Sequence, residues 1–468
     1  MRFAVLVALG AVLSGSRCTA AQVAHELRYA PGKSIVLRLP AGFDIDVAAS
    51  GLGRVRFLTR SPDGRIFATG MYNLADNTRG SVFILDGWDS RTHSFTKVRH
   101  YLDHLRNPNN VAFWTDRATG QAWLYIALTD RLVRYRYAAG DTAPSSPPET
   151  LMRFPDYGLS YKYGGWHLTR TVAIAPLGGK ARVFVAVGSS CNFCQETEVA
   201  RASIVSMDPD GGHAAIAAQG LRNAVGLAFV TTREGAALLA TDMGDDHLGD
   251  TLPEDPFFQL ELNAAQPLNY GWPTCYFANG KAVYDRTPLP RTGERTLPAP
   301  ARTPVATGDS AYGRQAGVAA AGTNLTAGGG HAAGPDPNAA LGHAPAALKS
   351  CESVPAPYVT FAAHSSPLGF EHFTDSDPAL GESFLVALHG AGHPRVGSGY
   401  RVVRVGADRS QSDFITGFLA TANGKPVIRG RPCGLLRTGP DSFLLTDDFL
   451  GLVYSIHLAA SREGQLRR

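Results

Sequence analysis

The sequence predicts an all-β protein, and more specifically a six-bladed β-propeller. Short strand-like runs alternate with turns that contain glycine or proline, and no long segment shows sustained helical periodicity. A turn followed by an apolar strand occurs six times, and four of the five steps between these turns span roughly 55 to 65 residues. A single blade cannot bury both faces of its sheet, so six such units are expected to close into a ring.

The repeated turn marks the start of each predicted blade. The six turns begin at Ser61, Ala118, Leu177, Arg233, Leu380 and Gly439. Several units continue into a second apolar strand, and we expect an N-terminal strand at residues 34–39 to complete the last blade. A β-sandwich is the less natural alternative, because its turn signals do not repeat at the length of a whole unit.

The N-terminus has the layout of a cleaved secretory signal, predicted at residues 1–21. A basic Arg2 precedes an apolar run at 3–13, and small residues end at Ala21. The run is too short to span a bilayer, and no later stretch approaches the roughly 20 apolar residues that a span needs. We therefore expect a secreted or periplasmic protein without a membrane span. A lipid anchor at Cys18 is the less favoured alternative.

Composition is that of an ordinary globular chain and fits one large domain or two medium ones, whereas the repeat predicts a single propeller domain at residues 22–468. Hydrophobic residues make up 44% of the 468 residues and charged residues 18%. Lys and Arg together number 44 and Asp and Glu 40, a formal net charge of +4. That small excess does not indicate nucleic-acid binding.

The cysteines of an exported chain can form disulfides. Cys191 and Cys194 follow a predicted strand end, so a disulfide that braces a loop is favoured over a redox dithiol. Cys275 and Cys351 bracket a long irregular stretch and would close its base if bonded. Cys433 is then left over, and the simplest interpretation is a buried thiol.

The stretch between Cys275 and Cys351 is predicted to be an insert in the propeller. Residues 276–350 are rich in Ala, Gly, Pro and Thr and contain few large apolar side chains. We expect that such a segment cannot build a core and forms a mobile excursion.

Four short segments carry the functional signal. They are 166–171 with a His-x-x-Arg, 219–227 with a paired Arg-Asn, the acidic 242–246, and 269–273 with Asn-Tyr-Gly-Trp-Pro. In this order they resemble the glucose/sorbosone dehydrogenase family, propellers that use pyrroloquinoline quinone (PQQ) and calcium. The resemblance covers most of the chain after about residue 38, and the ordered set is specific where each motif alone is weak.

The resemblance implies a catalytic pair, His167 and Arg222. A neutral imidazole can accept the proton of a substrate hydroxyl, and in the family mechanism hydride then passes to the quinone. Arg222 would stabilise the negative charge that develops beside the reactive carbonyl of the cofactor. A structural histidine and an ordinary salt bridge remain the alternatives for these two residues.

The same resemblance implies the ligands of the cofactor and of the metal. Arg170, Arg222 and Asn223 would contact PQQ, and the backbone carbonyls of Gly244 and Asp245 would hold calcium. Asp245 stands where relatives often have proline, so its side chain could add a ligand or alter the site. The oxygen-rich turn suits calcium on its own chemistry, although a solvated acidic turn is an equally good interpretation.

Three further positions are expected to contact PQQ, and two of them depart from the family pattern. His389 falls where soluble glucose dehydrogenases carry a lysine, and Arg56 replaces a glutamine. Arg431 resembles an arginine that pairs with a cofactor carboxylate. The three carboxylates of PQQ are compatible with additional arginines, whereas the sugar contacts are not specified.

The predicted function is therefore that of a secreted dehydrogenase dependent on PQQ and calcium, which oxidises a sugar or a sugar-derived aldehyde such as sorbosone. Electrons would pass to an external acceptor, because Gln195 follows Cys194 and no haem-attachment motif is present. Two alternatives stay open: a calcium-dependent lactonase or esterase on the same fold, and a non-catalytic binding propeller.

Overall fold

The structure is a computed structural model that describes residues 21–155, 167–262, 266–289, 341, 348–392 and 394–459. The predicted signal segment, apart from Ala21, and the insert residues 290–340 and 342–347 lie outside this part. In the part that is described, no helix is long and apolar enough to cross a membrane.

The regular secondary structure of the described residues is almost entirely β-strand, with a short 3-10 helix at Pro394–Val396. The strands are β1 (Gln22–Ala30), β2 (Lys33–Pro40), β3 (Phe43–Ala49), β4 (Val55–Arg60), β5 (Ile66–Gly70), β6 (Gly80–Asp89), β7 (Ser94–Leu105), β8 (Val111–Thr115), β9 (Ala122–Ala127), β10 (Arg131–Tyr137), β11 (Glu149–Arg153), β12 (Arg170–Leu177), β13 (Lys180–Val187), β14 (Ser203–Met207), β15 (Ala215–Gln219), β16 (Gly226–Thr232), β17 (Gly235–Thr241), β18 (Asp255–Leu260), β19 (Leu268–Asn269), β20 (Cys275–Ala278), β21 (Lys281–Tyr284), β22 (Val359–Phe361), β23 (Pro367–Phe373), β24 (Ser383–Leu388), β25 (Arg401–Gly406), β26 (Gln411–Ile415), β27 (Leu419–Ala422), β28 (Lys425–Ile428), β29 (Pro432–Gly439), β30 (Ser442–Asp447) and β31 (Leu452–Leu458).

Six of the sheets are the blades of a propeller, which confirms the predicted fold. Blade 1 contains β4–β7, blade 2 β8–β11, blade 3 β12–β15 with β19, blade 4 β16–β18 with β22, blade 5 β23–β26, and blade 6 β29–β31 with β3. The first strand of each blade contacts the first strands of both neighbours, so the ring is closed. Each of the six turns found in the sequence joins the first and second strands of one blade.

The N-terminal part of the chain closes the ring, as expected, but through a different strand. β3 pairs antiparallel with β31, with Phe43 opposite Leu458 and Ile45 opposite Ile456. The prediction that residues 34–39 do this is wrong, because they lie in β2, which pairs with β1 in a separate hairpin. Both β2 and β3 alternate buried and accessible side chains, so alternation alone does not separate them.

The base of the predicted insert belongs to the core. Cys275 and Cys351 form the expected disulfide, and β20 and β21 form a hairpin directly after Cys275. Phe277 in this hairpin is buried in the cluster that contains Phe258, at a ring-centroid distance of 5.5 Å. The expectation that residues 276–350 add nothing to the core is therefore wrong at its N-terminal end. A single Phe in a composition rich in small residues was too weak a signal.

The blade topology places two sets of loops at opposite ends of the ring. The first and second strands of a blade are antiparallel, so their connecting turn lies at one end. The residues that precede the first strand and those that follow the second strand then meet at the other end. The functional segments that contain His167, Arg222 and Gly244 lie in this second set, whereas residues 269–273 begin at the last residue of β19.

Candidate functional site

A cavity of about 940 Å³ opens at the end of the ring where these loops meet. Residues from five of the six blades line it, which is typical of a ligand site at a propeller axis. Of the nine site residues that the sequence predicted, seven line this cavity: Arg56, His167, Arg222, Asn223, Gly244, His389 and Arg431. Arg170 and Asp245 do not line it.

His167 is held as a neutral base. Its Nδ1 lies 2.9 Å from Ser189 Oγ and 3.1 Å from the Ser189 carbonyl oxygen, which can only accept. Nδ1 therefore carries the proton, and Nε2 is the basic nitrogen. Burial, assisted by the charge of Arg222, lowers the pKa of His167 well below its usual value. The ring packs against Gly188, where a Cβ atom would stand 2.5 Å from His167 Cβ.

Arg170 supports the His167 loop from beneath. Its side chain is buried, and Nη1 donates to the carbonyl oxygens of His167 at 2.6 Å and Thr169 at 2.9 Å. The structure thus places Arg170 against the backbone that carries the base and outside the cavity wall. Arg170 therefore holds the backbone of the His167 loop, and its contact with a cofactor stays a prediction.

Cys191 and Cys194 form the expected disulfide, and the loop that it closes orients Arg222. Nε donates to the Asn192 carbonyl oxygen at 2.9 Å, and Nη2 to Asn192 Oδ1 at 2.6 Å. Nη1 donates to the Gly244 carbonyl oxygen at 2.8 Å. The guanidinium group is therefore held from two sides, and its positive charge lies at the cavity wall.

Asp242 shapes the backbone beside Arg222. It is buried, and its two carboxylate oxygens accept hydrogen bonds from the backbone N–H groups of Arg222 at 3.0 Å and Asn223 at 2.6 Å. Burial raises the pKa of Asp242 to about 6. The Asn223 side chain lines the cavity and donates from Nδ2 to Met243 Sδ at 3.4 Å.

Gly244 and the Asp245 side chain have different surroundings. Gly244 lines the cavity, and its N–H donates to Asp255 Oδ1 at 2.8 Å. The Asp245 carboxylate is buried away from the cavity, 2.7 Å from His247 Nδ1, and the other nitrogen of that ring meets Asp285 Oδ2 at 2.8 Å. The Asp245 side chain thus joins an Asp–His–Asp cluster and links the Gly244 segment to the disulfide-bonded hairpin.

An acidic wall follows Gly244. Asp246 accepts from Arg222 at 3.3 Å and from His364 at 3.2 Å. Burial would raise the pKa of Asp246, but His364 and Arg222 hold it at about 2. The hydrogen bond to Asp246 raises the pKa of His364 to about 9, so this ring is a cation at neutral pH. Asp250 and Asp255 line the same side, and burial raises the pKa of Asp255 to about 7.

A buried carboxylate, Asp448, organises the opposite wall. It accepts from Arg56 Nη1 at 2.8 Å and from His389 Nε2 at 2.8 Å, and Arg54 Nη1 lies 3.1 Å away. Burial opposes the charge on Asp448, but the bond from His389 and the two guanidinium groups hold its pKa well below the usual range. Burial, with the charge of Arg431, lowers the pKa of His389 to about 3, so the ring is neutral.

Among the residues the structure describes, no carboxylate lies within ion-pair distance of the Arg431 guanidinium. Nε donates to the His389 carbonyl oxygen at 3.2 Å, and Nη2 donates to the carbonyl oxygens of Gly390 and Ala391. Burial lowers the pKa of Arg431 from that of a solvated guanidinium. The side chain lines the cavity, as does Arg395 of the 3-10 helix. This wall therefore favours an anionic ligand.

Sequence reasoning missed several residues of this site, and four of them make contacts that are central to it. They are Asn192, Asp246, His364 and Asp448. Asn192 could have been found from its place between two bonded cysteines and Asp246 from the acidic segment. Asp448 carried no local signal, because its partners lie far away in the sequence.

Comparison with solved structures shows that the fold is shared with sugar dehydrogenases. The holo form of the pyranose dehydrogenase PQQ domain from Coprinopsis cinerea matches at TM-score 0.60 and 17% identity, over 92% of this chain and 98% of that one. A calcium structure of a Trichoderma reesei protein of Carbohydrate-Active Enzymes Family AA12 matches at 0.58 and 15%, over 90% and 96%. A glucose dehydrogenase matches at 0.50 and 14%, over 89% and 100%.

These likenesses agree with the resemblance that the motifs indicated, and at this level of identity they show the fold. No protein-family model matches the chain, and no curated protein sequence matches it.

Proposed function

We propose that the protein is a PQQ-dependent dehydrogenase that oxidises a hydroxyl or hydrated aldehyde group of a sugar. One observation carries the proposal: the basic nitrogen of His167 shares a cavity with the guanidinium groups of Arg56, Arg222 and Arg431. The fold that holds them is also that of a pyranose dehydrogenase PQQ domain, which supports the choice of cofactor.

The cavity fits PQQ in size and in charge. Its volume of about 940 Å³ can admit a planar tricyclic molecule together with a sugar. Arg431, which no described carboxylate pairs, would bind one cofactor carboxylate, and Arg56 would lie near another. When bound, PQQ would supply the acceptor for the two electrons that leave the sugar.

His167 and Arg222 would carry the chemical step on the protein side. His167 Nε2 takes the proton of the substrate hydroxyl, since Nδ1 is already committed to Ser189. The positive charge of Arg222 stabilises the oxygen that becomes negative. Because Asn192 and Gly244 hold the guanidinium in place before substrate arrives, little reorganisation is needed.

The proposal includes calcium because the acidic side of the cavity offers several oxygen ligands. The carbonyl oxygen of Gly244 and the carboxylates of Asp246 and Asp250 are hard ligands of the kind that Ca²⁺ prefers. Arg222 already donates to the Gly244 carbonyl, but a carbonyl oxygen has two lone pairs and can meet both partners. We propose the Asp245 backbone carbonyl as a further ligand, whereas its side chain points elsewhere.

The finer assignments belong to the same proposal. The substrate would be an aldose or a sorbosone-like keto-aldehyde, and the electrons would go to an external acceptor. Two disulfides in the structure support an exported protein, secreted or periplasmic.

The lactonase or esterase alternative gains no support from the cavity. Its carboxylates, Asp246, Asp250 and Asp255, all come from one segment of blade 4. Asp255 is committed to the backbone N–H groups of Gly244 and Ser366. A metal that polarises a carbonyl would need ligands from several blades, and this arrangement does not favour that.

Dye-linked activity on reconstitution tests the proposed function. The protein made without PQQ should be inactive, and PQQ and calcium supplied together should give dehydrogenase activity on aldoses or keto-aldehydes. Lactone hydrolysis without PQQ would favour the alternative. Saturable PQQ binding without turnover on any sugar would favour a binding propeller. PQQ binding that a chelator does not reverse would remove calcium from the proposal.

A further inference from the structure

Two histidines and an aspartate form a cluster on the outer side of the propeller, and none of them lines the cavity. Asp46 lies in β3, His457 in β31, and His93 in the turn between β6 and β7. Their ligand atoms all lie within 4.8 Å of one another. The cluster spans the seam at which the N-terminal strand completes blade 6 and contacts blade 1.

Both imidazole rings contact the same carboxylate oxygen of Asp46. His93 Nδ1 is 3.2 Å and His457 Nε2 is 3.0 Å from Asp46 Oδ2. Tetrahedral ligands at about 2.0–2.1 Å from a metal lie roughly 3.3 Å from each other, close to these spacings. The two rings are stacked with centroids 3.6 Å apart. A turn of the His93 ring about its broad χ2 torsion would let both lone pairs meet one ion.

The hydrogen-bond directions call for a cation in the cluster. His457 Nδ1 lies 3.0 Å from the Leu458 carbonyl oxygen, which can only accept, so Nδ1 carries the proton. In the neutral ring Nε2 then directs a lone pair at Asp46 Oδ2, which is also an acceptor. Either a second proton or a metal ion resolves this contact. A backbone carbonyl on the other ring nitrogen is the usual second partner of a metal-bound histidine.

We propose that Asp46, His93 and His457 bind a divalent transition-metal ion, with Zn²⁺ as the representative. Two imidazoles and one carboxylate suit Zn²⁺, Co²⁺ or Ni²⁺ and do not suit Ca²⁺. One metal ion would accept both imidazole lone pairs and the carboxylate oxygen, and so would satisfy the whole cluster at once. This proposal is independent of the proposed dehydrogenase function.

The site would act as a clip on the closed ring. Its ligands come from residues 46, 93 and 457, and the pair Asp46–His457 is 411 residues apart in the sequence. The three groups therefore converge only when the N-terminal strand is in place. A ligand that binds the folded state and not the unfolded chain stabilises the folded state. Zinc should accordingly raise the melting temperature by holding the seam between blades 6 and 1.

Zinc and cobalt titrations of the untagged full-length chain, freed of metal by a chelator, test the proposal. The wild type should bind one equivalent of Zn²⁺ at this site and show visible d–d bands with Co²⁺. His457→Ala and His93→Gln should each lower the affinity by at least roughly tenfold, with loss of the cobalt bands and of the zinc-dependent gain in melting temperature.

His100→Ala is the matched control. His100 lies 2.7 Å from Asp103 and does not belong to the proposed cluster, so its loss should leave zinc binding unchanged. His93→Gln changes a partly exposed turn residue and keeps the test valid if His457→Ala does not fold. Equal zinc affinity and equal cobalt spectra in the wild type and His93→Gln would overturn the proposal. So would a wild type that binds no Zn²⁺.

Discussion

The guanidinium of Arg222 donates from Nη1 to the carbonyl oxygen of Gly244 over 2.8 Å. The same group is held from the other side by Asn192, inside the loop that the Cys191–Cys194 disulfide closes. The charge proposed to stabilise the reacting oxygen therefore depends on a small crosslinked loop. It is also coupled to an oxygen atom proposed for calcium.

Replacing both Cys191 and Cys194 with Ser should lower kcat of the PQQ-loaded enzyme by roughly ten- to hundredfold, because Asn192 loses its fixed position and Arg222 its orientation. The melting temperature should fall little, since the bond closes a separation of only three residues. Steady-state kinetics and thermal melts measure both effects.

The second disulfide provides the comparison for this variant. Serine at Cys275 and Cys351 removes a crosslink across 76 residues. The melting temperature should then fall further and kcat less than in the first variant. The reverse pattern would show that the Cys191–Cys194 loop does not orient Arg222.

His167→Ala should lower turnover on the order of 10²–10⁴-fold while PQQ affinity stays nearly unchanged, because a positioned general base is worth about this much. His213→Ala, an exposed histidine paired with Asp208, is the control. Turnover equal to that of the wild type would mean that another group takes the proton.

The pH dependence of kcat/KM should lack the usual histidine limb. Burial and Arg222 lower the pKa of His167 well below its ordinary value, so the ring stays neutral, and able to accept a proton, at pH values below that ordinary pKa. Between pH 5 and 8, kcat/KM should not fall through protonation of His167 near the pKa of a solvated histidine. A decrease in kcat/KM that follows one proton near pH 6.5 in the wild type, and that is absent when His167 is replaced, would contradict this placement.

Asp447→Asn should increase stability at alkaline pH and increase it less near pH 5. Burial raises the pKa of Asp447 to about 7, so the folded state holds a proton that the unfolded chain releases near pH 4. The stability from this group is fully present below about pH 4 and is lost as the pH rises from there to about 7, at about 1.4 kcal/mol per pH unit at most.

Asparagine keeps the contacts of Asp447 without titrating. Its Oδ1 can still accept from the N–H groups of Arg431, Phe449 and Leu450, and its amide can donate to Tyr454 Oη. Melts of both proteins at pH 5 and pH 8 should show the difference in melting temperature growing toward pH 8. A difference independent of pH would contradict the raised pKa.

Phe277→Ala should destabilise the fold by about 3–5 kcal/mol, as expected for the loss of a buried phenylalanine. Phe277 packs against Phe258 at the base of the insert. Tyr284→Ala in the same hairpin removes a side chain that is 45% exposed and should change stability by less than about 0.5 kcal/mol. Equal denaturation midpoints for the two variants would show that the hairpin is not part of the core.

The six blades could be predicted because each has a local sequence signal, a turn followed by an apolar strand. The strand that closes the ring could not be predicted, because β2 and β3 have similar alternation of buried and accessible side chains. Only the closed ring determines that β3 pairs with β31. The catalytic candidates were found by motif order, and the structure brings His167, Arg222 and Asn223 to one cavity.

Asp447 and Asp448 show why the remaining site residues were not predictable. Asp447 accepts backbone N–H groups of its own turn, whereas Asp448 meets Arg56 and His389, 392 and 59 residues away. Two adjacent aspartates in one turn look alike in the sequence. Their roles differ only after the blades have closed.

Equilibrium titration of the apoprotein with PQQ in the presence of calcium, followed by absorption, tests the central claim most directly. The account predicts saturable binding of one PQQ per chain, weakened at least roughly tenfold in Arg431→Ala through loss of the unpaired cation. Arg409→Ala, which removes an arginine stacked on Tyr358 outside the cavity, should bind like the wild type. No saturable binding, or equal affinity in Arg431→Ala and the wild type, would contradict the account.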